Sequence, residues 1–292
     1  MQKLIYGKPV ANKIYKDVSI KIDELKKKKI KPCIAVIIIG NRKDSITYVN
    51  MKANKCTELG ISSELHKLEE TCTETDILER IDKLNDDKNV NGILIQLPLP
   101  KHINEETILD RVSVDKDLDG FHTINSGKLT SYNNAKFIPC TPEGCFEIIK
   151  YYNIDYVGKH IVMIGGSKVV GLPMALQMLH KESTITICHK MTENIKEITK
   201  LADILIVACG VPELVKQDWV KEGVVIIDVG INSKPDSSKK KGYKLVGDVD
   251  TSSDFLIKFK NSAVAYSHID FLGKPHVRKL YISGTKKKIY NR

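Results

Sequence analysis

The chain has 292 residues, 42% hydrophobic and 28% charged, which reads as a soluble, intracellular protein with room for two domains and their cores. Its longest apolar run, Cys33–Ile39, is far shorter than the about 20 residues a membrane helix needs, and MQKLIYGKPV has no apolar stretch of signal-peptide length. The net charge of +10 does not describe a nucleic-acid face: 41 of the 46 basic residues are lysine, and the last 25 residues alone hold seven Lys/Arg against one Asp. A cytoplasmic protein with neither nucleic-acid nor membrane partners is expected. Seven cysteines, an odd number with no C-x-x-C pair, point to reduced thiols and to no metal site.

Residues 10–29 carry apolar side chains at helical spacing and end in Lys26–Lys29, a solvated helix end that suits the helix dipole. Residues 33–39 read as a buried strand. Asp44-Ser45 offers an N-cap for a helix that can run to Gly60, a C-cap glycine. Residues 73–88 read as another helix and 92–97 as the next strand. That strand ends in a lone amide, Gln96, followed by Pro98 and Pro100. Proline removes a backbone donor, so the chain must leave the sheet there, with the amide held where open α/β sheets keep their ligands. Asp119-Gly120 follows as an acidic turn. A domain boundary falls near Pro139–Pro142, where Thr141 can cap a helix over 142–152. Beyond it, strands are expected at 161–164, 184–188, 204–208, 224–229 and 244–246. They are rich in isoleucine and valine, as central parallel strands are. The segment 235–241, PDSSKKK, reads as a polar surface loop.

The turn after the first of these strands, IVMIGGSKVVGLP, holds Gly165, Gly166, Ser167 and Gly171 before a helix. Glycines let backbone N–H groups approach a pyrophosphate, and a helix N-terminus favours negative charge. The spacing is not G-x-G-x-x-G, so the surrounding strands carry much of the reading. The next strand ends in Cys188-His189-Lys190 with no acid, which favours NADP over NAD and makes Lys190 the contact for the extra phosphate. His189, Cys209 with Gly210, and Gly230 with Ile231 stand just past strand ends and should line the cofactor cleft. Asp228, inside an apolar strand, reads as a satisfied buried carboxylate rather than a catalyst.

The motifs SITYVNMK (45–52), ILIQLPLP (93–100), KDLDGF (116–121), IPCTPEG (138–144), GGSKVVGLP (165–173), CHKMT (188–192), IDVGIN (227–232) and VGDVD (246–250) occur in order over about residues 1–266. In this the chain resembles the methylenetetrahydrofolate dehydrogenase/cyclohydrolase family. The resemblance implies an α/β protein of two domains with the active site in the cleft between them. The first is an αβα folate domain (1–140) and the second a Rossmann-type NADP-binding domain (141–266) with a parallel sheet. It implies oxidation of methylene-tetrahydrofolate to methenyl-tetrahydrofolate with NADP, then hydrolysis to the formyl derivative, in one-carbon metabolism. It also implies a homodimer and tetrahydrofolate substrates, polyglutamylated ones included. Tyr48 and Lys52, four apart on one helix, would stack on the substrate and move protons respectively. Neighbouring cations or burial would tune the lysine. Gln96 would orient Lys52, and Asp119 would bind the pterin's amino and ring nitrogens.

The pattern stops near Tyr266. Members continue with a Thr-Pro-Val-Pro-Gly-Gly-Val-Gly-Pro loop that walls the folate pocket, then a C-terminal helix. Here residues 267–292 form an atypical basic tail with little helical periodicity, expected to be poorly ordered. Three accounts stay open: an altered gene reading, a true divergence with activity kept, or a catalytically impaired NADP-binding pseudoenzyme that serves as a dimer partner. Gly166 also stands where some relatives carry arginine for the NADP phosphate.

Overall fold

The computed structural model describes residues 2–131, 135–239 and 242–250, and the backbone of two further strands, Ala263–Tyr266 and Lys279–Ser283. The chain forms two compact units, one of residues 11–140 and the other of the chain from Thr141 onward together with the N-terminal residues up to Val10.

In the first unit, helix α1 (Gly7–Lys27) precedes β2 (Cys33–Ile39), α2 (Lys43–Leu59), β3 (Ser62–Leu68), α3 (Glu74–Asp86) and β4 (Gly92–Ile95). The strands lie parallel in the order β3-β2-β4. Side chains alternate along β2, and both faces are covered. Ala35, Ile37 and Ile39 pack with Ile77, Ile81 and Leu84 of α3, while Val36 and Ile38 pack with Val49 of α2. Gly60 ends α2 with φ +80°, a left-handed cap as expected. The start of α2 differs from expectation: its N-cap is Arg42, with no side-chain cap, and Asp44 lies in the first turn. There it pairs with the Arg42 guanidinium at 2.6 Å, which holds its carboxyl well below the usual range. Helix α3 opens with a capping box, Thr73 Oγ1 accepting from Asp76 N at 3.2 Å and Asp76 Oδ2 accepting from Thr73 N at 2.8 Å. Short helices α4 (Glu105–Arg111) and α5 (Thr123–Lys128) complete the unit.

The second unit begins with α6 (Cys140–Tyr151), which starts one residue before Thr141, so that threonine lies in the first turn rather than at the cap. Then follow β5 (His160–Ile164), α7 (Gly171–Leu179), β6 (Thr184–Cys188), α8 (Ile195–Lys200), β7 (Ile204–Val207) and β8 (Val225–Asp228). Strands β9 (Asn232–Pro235) and β10 (Tyr243–Val246) form a separate hairpin. With β11 (Ala263–Tyr266), β12 (Lys279–Ser283) and the N-terminal β1 (Gln2–Tyr6), the main sheet runs β1-β12-β11-β8-β7-β5-β6 among the described residues. Strands β6, β5, β7, β8 and β11 are parallel, and β12 is antiparallel to both β11 and β1. Thus Gln2–Tyr6 groups with the second unit, a long-range pairing that local sequence does not encode. Of the basic tail, Lys279–Ser283 is a strand, and its other residues lie outside the described ones. No described helix is long and apolar enough to cross a membrane.

Candidate active site

In each unit the chain leaves a central parallel strand first to one side and then to the other. Strand β2 lies between β3 and β4, and β5 between β6 and β7. At such a switch point the loops splay apart beyond the carboxyl ends of the strands, opening a crevice. The residues singled out from sequence gather at these ends.

In the first unit, Gln96 follows β4 and its backbone N–H still donates to Ile37 O at 2.9 Å. Its side-chain Nε2 donates to Leu97 O at 2.8 Å, which commits the nitrogen and leaves Oε1 to accept from Lys52 Nζ at 3.4 Å. The peptide carbonyl therefore sets which way the amide points, and the amide sets where the lysine sits. Tyr48 lies one turn before Lys52 on α2, and both are half-buried.

The DKDLDGF segment is moored beside β4. Ile93 N donates to Lys116 O at 2.7 Å, and Leu118 N donates to Ile93 O at 3.3 Å. Lys116 is structural: its ammonium donates to the carbonyls of Leu84, Asn85 and Asp87 at 2.7–2.8 Å, closing the end of α3. Buried Asp117 accepts from Phe121 N, His122 N and Asn125 Nδ2 at 3.2, 3.0 and 2.8 Å. Gly120, with φ +67°, lets the turn reverse where a Cβ would lie 2.9 Å from Phe137 O. Asp119 is thereby presented half-buried. Loss of water pushes its carboxyl above the usual range, the Lys52 ammonium pulls it back, and Asp117 adds a smaller push upward. Lys52 thus faces an amide oxygen and lies within the field of a carboxylate.

Cys140 joins this group, a member that sequence reasoning passed over. Its residue surface is exposed, but its thiol turns inward, with Sγ 3.9 Å from Asp119 Oδ1 and 4.0 Å from Leu118 O. Burial first, and then the Asp119 charge, push the thiol up to about 12, so it stays protonated and is no nucleophile. The only signal for it was its place in IPCTPEG. A cavity of about 590 Å³ opens at the same sheet edge, lined by residues 39–42, 70–71 and 98–102. Tyr48, Lys52, Gln96 and Asp119 do not line it.

In the second unit, Gly165 leaves β5 with φ +112°, and a Cβ there would lie 2.2 Å from Ala208 O. At Gly171 a Cβ would lie 1.9 Å from Gly165 O. Only backbone without side chains can turn this tightly, and the N-terminus of α7 then faces the crevice. Gly166 is different: its nearest neighbour, Ile187 Cγ2, is at an ordinary 3.7 Å. Ser167 Oγ accepts from Val170 N at 3.2 Å and Gly171 N at 3.4 Å, shaping the loop. These features fit a dinucleotide pyrophosphate. Past β6, His189 N donates to Thr192 Oγ1 at 2.8 Å and His189 Nδ1 accepts from Met191 N at 3.2 Å. That turn exposes Lys190, which has no ion-pair partner among the described residues. Cys209 and Ile231 lie past β7 and β8, both half-buried. The Cys209 thiol is pushed up to about 12, by burial first and then by Asp248.

Asp228 is 1% exposed and satisfied, as its strand position suggested, accepting from Gly230 N, Asp248 N and Val249 N at 2.9, 3.1 and 2.9 Å. Burial outweighs these donors and pushes its carboxyl up to about 7, with Asp248 adding to the push. The folded chain therefore keeps this proton to higher pH than the unfolded chain. The associated stability is full below the ordinary aspartate pKa of about 4 and is lost as pH rises to about 7. Denaturant unfolding of wild type and Asp228→Asn across this window should show a steeper decline in wild type. Parallel curves would exclude the assignment.

Comparison with known proteins agrees with this arrangement. Residues 5–119 match the model of the tetrahydrofolate dehydrogenase/cyclohydrolase catalytic domain, and residues 139–260 match the NAD(P)-binding domain of the same family. The chain is similar to the bifunctional protein FolD of Acetivibrio thermocellus, with 47% identity over 251 residues covering 86% of each chain. Its fold is similar to the crystal structure of the bifunctional FolD methylenetetrahydrofolate dehydrogenase/cyclohydrolase of Campylobacter jejuni (TM-score 0.81, 42% identity, 89% and 88% of the two chains). It is also similar to the Trypanosoma brucei methylenetetrahydrofolate dehydrogenase-cyclohydrolase, solved with NADP and an inhibitor (TM-score 0.84, 32% identity, 91% and 90%). A glycine-built dinucleotide crevice in one unit, a lysine, amide and carboxylate group in the other, and these matches over both units have one reading: the chain belongs to the tetrahydrofolate dehydrogenase/cyclohydrolase family.

Proposed function

We infer that the chain oxidises methylene-tetrahydrofolate to methenyl-tetrahydrofolate with NADP, then hydrolyses the product to formyl-tetrahydrofolate. The observation that carries the folate chemistry is the Leu97–Gln96–Lys52 relay beside desolvated Asp119. Asp119 accepts hydrogen bonds from the pterin's amino group and ring nitrogen, a planar pair of donors that a carboxylate matches. Tyr48 supplies a ring face for stacking. Bound NADP supplies the hydride acceptor, held by the Gly165–Gly171 turn, Ser167, His189, Lys190, Cys209 and Ile231. Loss of hydride from the one-carbon bridge leaves a cationic carbon. Water adds to it, one C–N bond breaks, and Lys52 moves the proton that this exchange requires. Gln96 holds Lys52 in register for that transfer. Polyglutamylated substrates, a homodimer and a cytoplasmic role in one-carbon metabolism belong to the same reading and are supported by the family resemblance.

Purified chain is assayed with methylene-tetrahydrofolate and either NADP or NAD, following reduced nicotinamide and methenyl product. Turnover with NADP preferred is expected, and Lys190→Ala should raise the KM for NADP about tenfold through loss of a charge-assisted phosphate contact. An equal change in the KM for NAD would remove Lys190 from the phosphate site. Absence of turnover in wild type would overturn the reading.

A further inference from the structure

Two buried aspartates, neither of them expected to meet the substrate, join the loops that flank the dinucleotide crevice. Asp248 has no exposed surface. A buried carboxylate is stable only where donors replace its lost water. Asp248 Oδ2 accepts from Cys209 N at 2.7 Å and Gly210 N at 2.9 Å, and its Oδ1 accepts from Asn232 Nδ2 at 2.8 Å. One side chain thus holds the loop beyond β7 and the loop beyond β8. The approach is so close that a Cβ on Gly230 would lie 2.2 Å from Asp248 Cγ.

Asp248 is in turn held from behind. Its own N–H donates to Asp228 Oδ1, which also accepts from Gly230 N. Its carbonyl accepts from Val215 N at 3.0 Å, and Glu213 N donates to Gly247 O at 2.9 Å. The backbone on either side of Asp248 therefore cannot drift without breaking bonds to two other segments. The two carboxylates supply acceptors where three chain segments meet, and backbone amides alone could not satisfy one another there.

We propose that Asp248, anchored by Asp228, is a positioning residue for the dinucleotide: it sets the Cys209–Gly210 and Gly230–Asn232 loops at the spacing the cofactor needs. The proposal rests on the reading of Cys209 and Ile231 as cofactor contacts. Asp248 acts through them and touches no ligand itself. Its truncation should weaken dinucleotide binding without altering the chemistry of bound substrate.

The test compares Asp248→Ala with Asp248→Asn in the full chain. Alanine leaves two backbone N–H groups and the Asn232 amide without their acceptor. Asparagine keeps an oxygen for Cys209 and Gly210, and the Asn232 amide can turn to meet the new NH2. The Kd for NADP alone and the KM for NADP should each rise about tenfold or more in Asp248→Ala, with kcat at saturating NADP within about twofold. In Asp248→Asn both should stay within about threefold. Hydrolysis of methenyl-tetrahydrofolate, which consumes no dinucleotide, reports the fold of the same molecules. Unchanged NADP binding in Asp248→Ala overturns the proposal, as does a parallel loss of hydrolysis and NADP binding in both variants. If Asp248→Ala does not fold, amide hydrogen exchange on the wild-type chain without NADP decides. Protection at Cys209 and Gly210 supports the tether, and free exchange there overturns it. Wild-type chain that fails to bind NADP would sink the functional reading itself, whereas normal wild-type binding unaffected by the alanine sinks only the positioning role.

Discussion

Lys52→Met is expected to slow hydrolysis of methenyl-tetrahydrofolate by about 10²–10⁴-fold, the usual contribution of a positioned acid–base group. Methionine keeps the apolar stem on α2 and removes the ammonium. Gln96 Oε1 then loses the donor that faces it, and the amide remains held by Leu97 O. Asp119 also loses the cation that lowers its carboxyl, so it should take up a proton at still higher pH than in wild type. Substrate binding should weaken with it, and the more so as pH falls. The hydride step needs no proton relay of this kind and should suffer less than hydrolysis. The measurement is the rate of loss of methenyl absorbance in wild type and variant, alongside dehydrogenase turnover. Hydrolysis within about twofold of wild type would remove Lys52 from the proton-transfer role. Equal losses in both reactions would assign it to binding instead.

The second large effect is expected at Gly171. In Gly171→Ala the new methyl would sit 1.9 Å from Gly165 O, 2.6 Å from Gly165 C and 3.0 Å from Gly166 Cα. All three are backbone atoms, so no rotamer change relieves the clash; the α7 N-terminus must move away from the β5 turn. A loss of about 2–4 kcal/mol in unfolding free energy is expected, together with loss of NADP binding, since the pyrophosphate cradle is the part displaced. Gly166→Ala is the control, because a Cβ there meets only Ile187 Cγ2 at 3.7 Å. It should change stability by less than about 0.5 kcal/mol. Urea unfolding and NADP titration read both variants. Gly171→Ala with wild-type stability would show that the turn is not packed as tightly as described.

The elements that sequence reading found are those with strong local signals. Cys33–Ile39 and Thr184–Cys188 begin and end where expected. Helix α3 begins after Thr73 because its capping box lies within four consecutive residues. The missed elements have no such signal. Strand β3 (SSELHKL) lies at the sheet edge with much of its surface in water, and β9 (NSKP) is almost wholly exposed. These exist because a neighbouring backbone offers them hydrogen bonds, not because their side chains prefer extension. Helix starts also moved: an Arg42–Asp44 ion pair, rather than a Ser or Thr cap, marks the start of α2, and α6 begins at Cys140, one residue before the expected Thr141 cap.

By itself the sequence determined the family, the two-part α/β plan, the glycine turn, the absence of an acid past β6 and the candidates Tyr48, Lys52, Gln96 and Asp119. Each is a matter of residue type and order along the chain. Only tertiary structure decided which groups face one another. It turned the Gln96 amide through Leu97 O, put Asp119 and the Cys140 thiol within reach of each other, and made Asp228 and Asp248 the tie between loops far apart in sequence. Hydrogen-bond partners and lost hydration depend on distances between segments that meet only on folding, and no local pattern of residues encodes them.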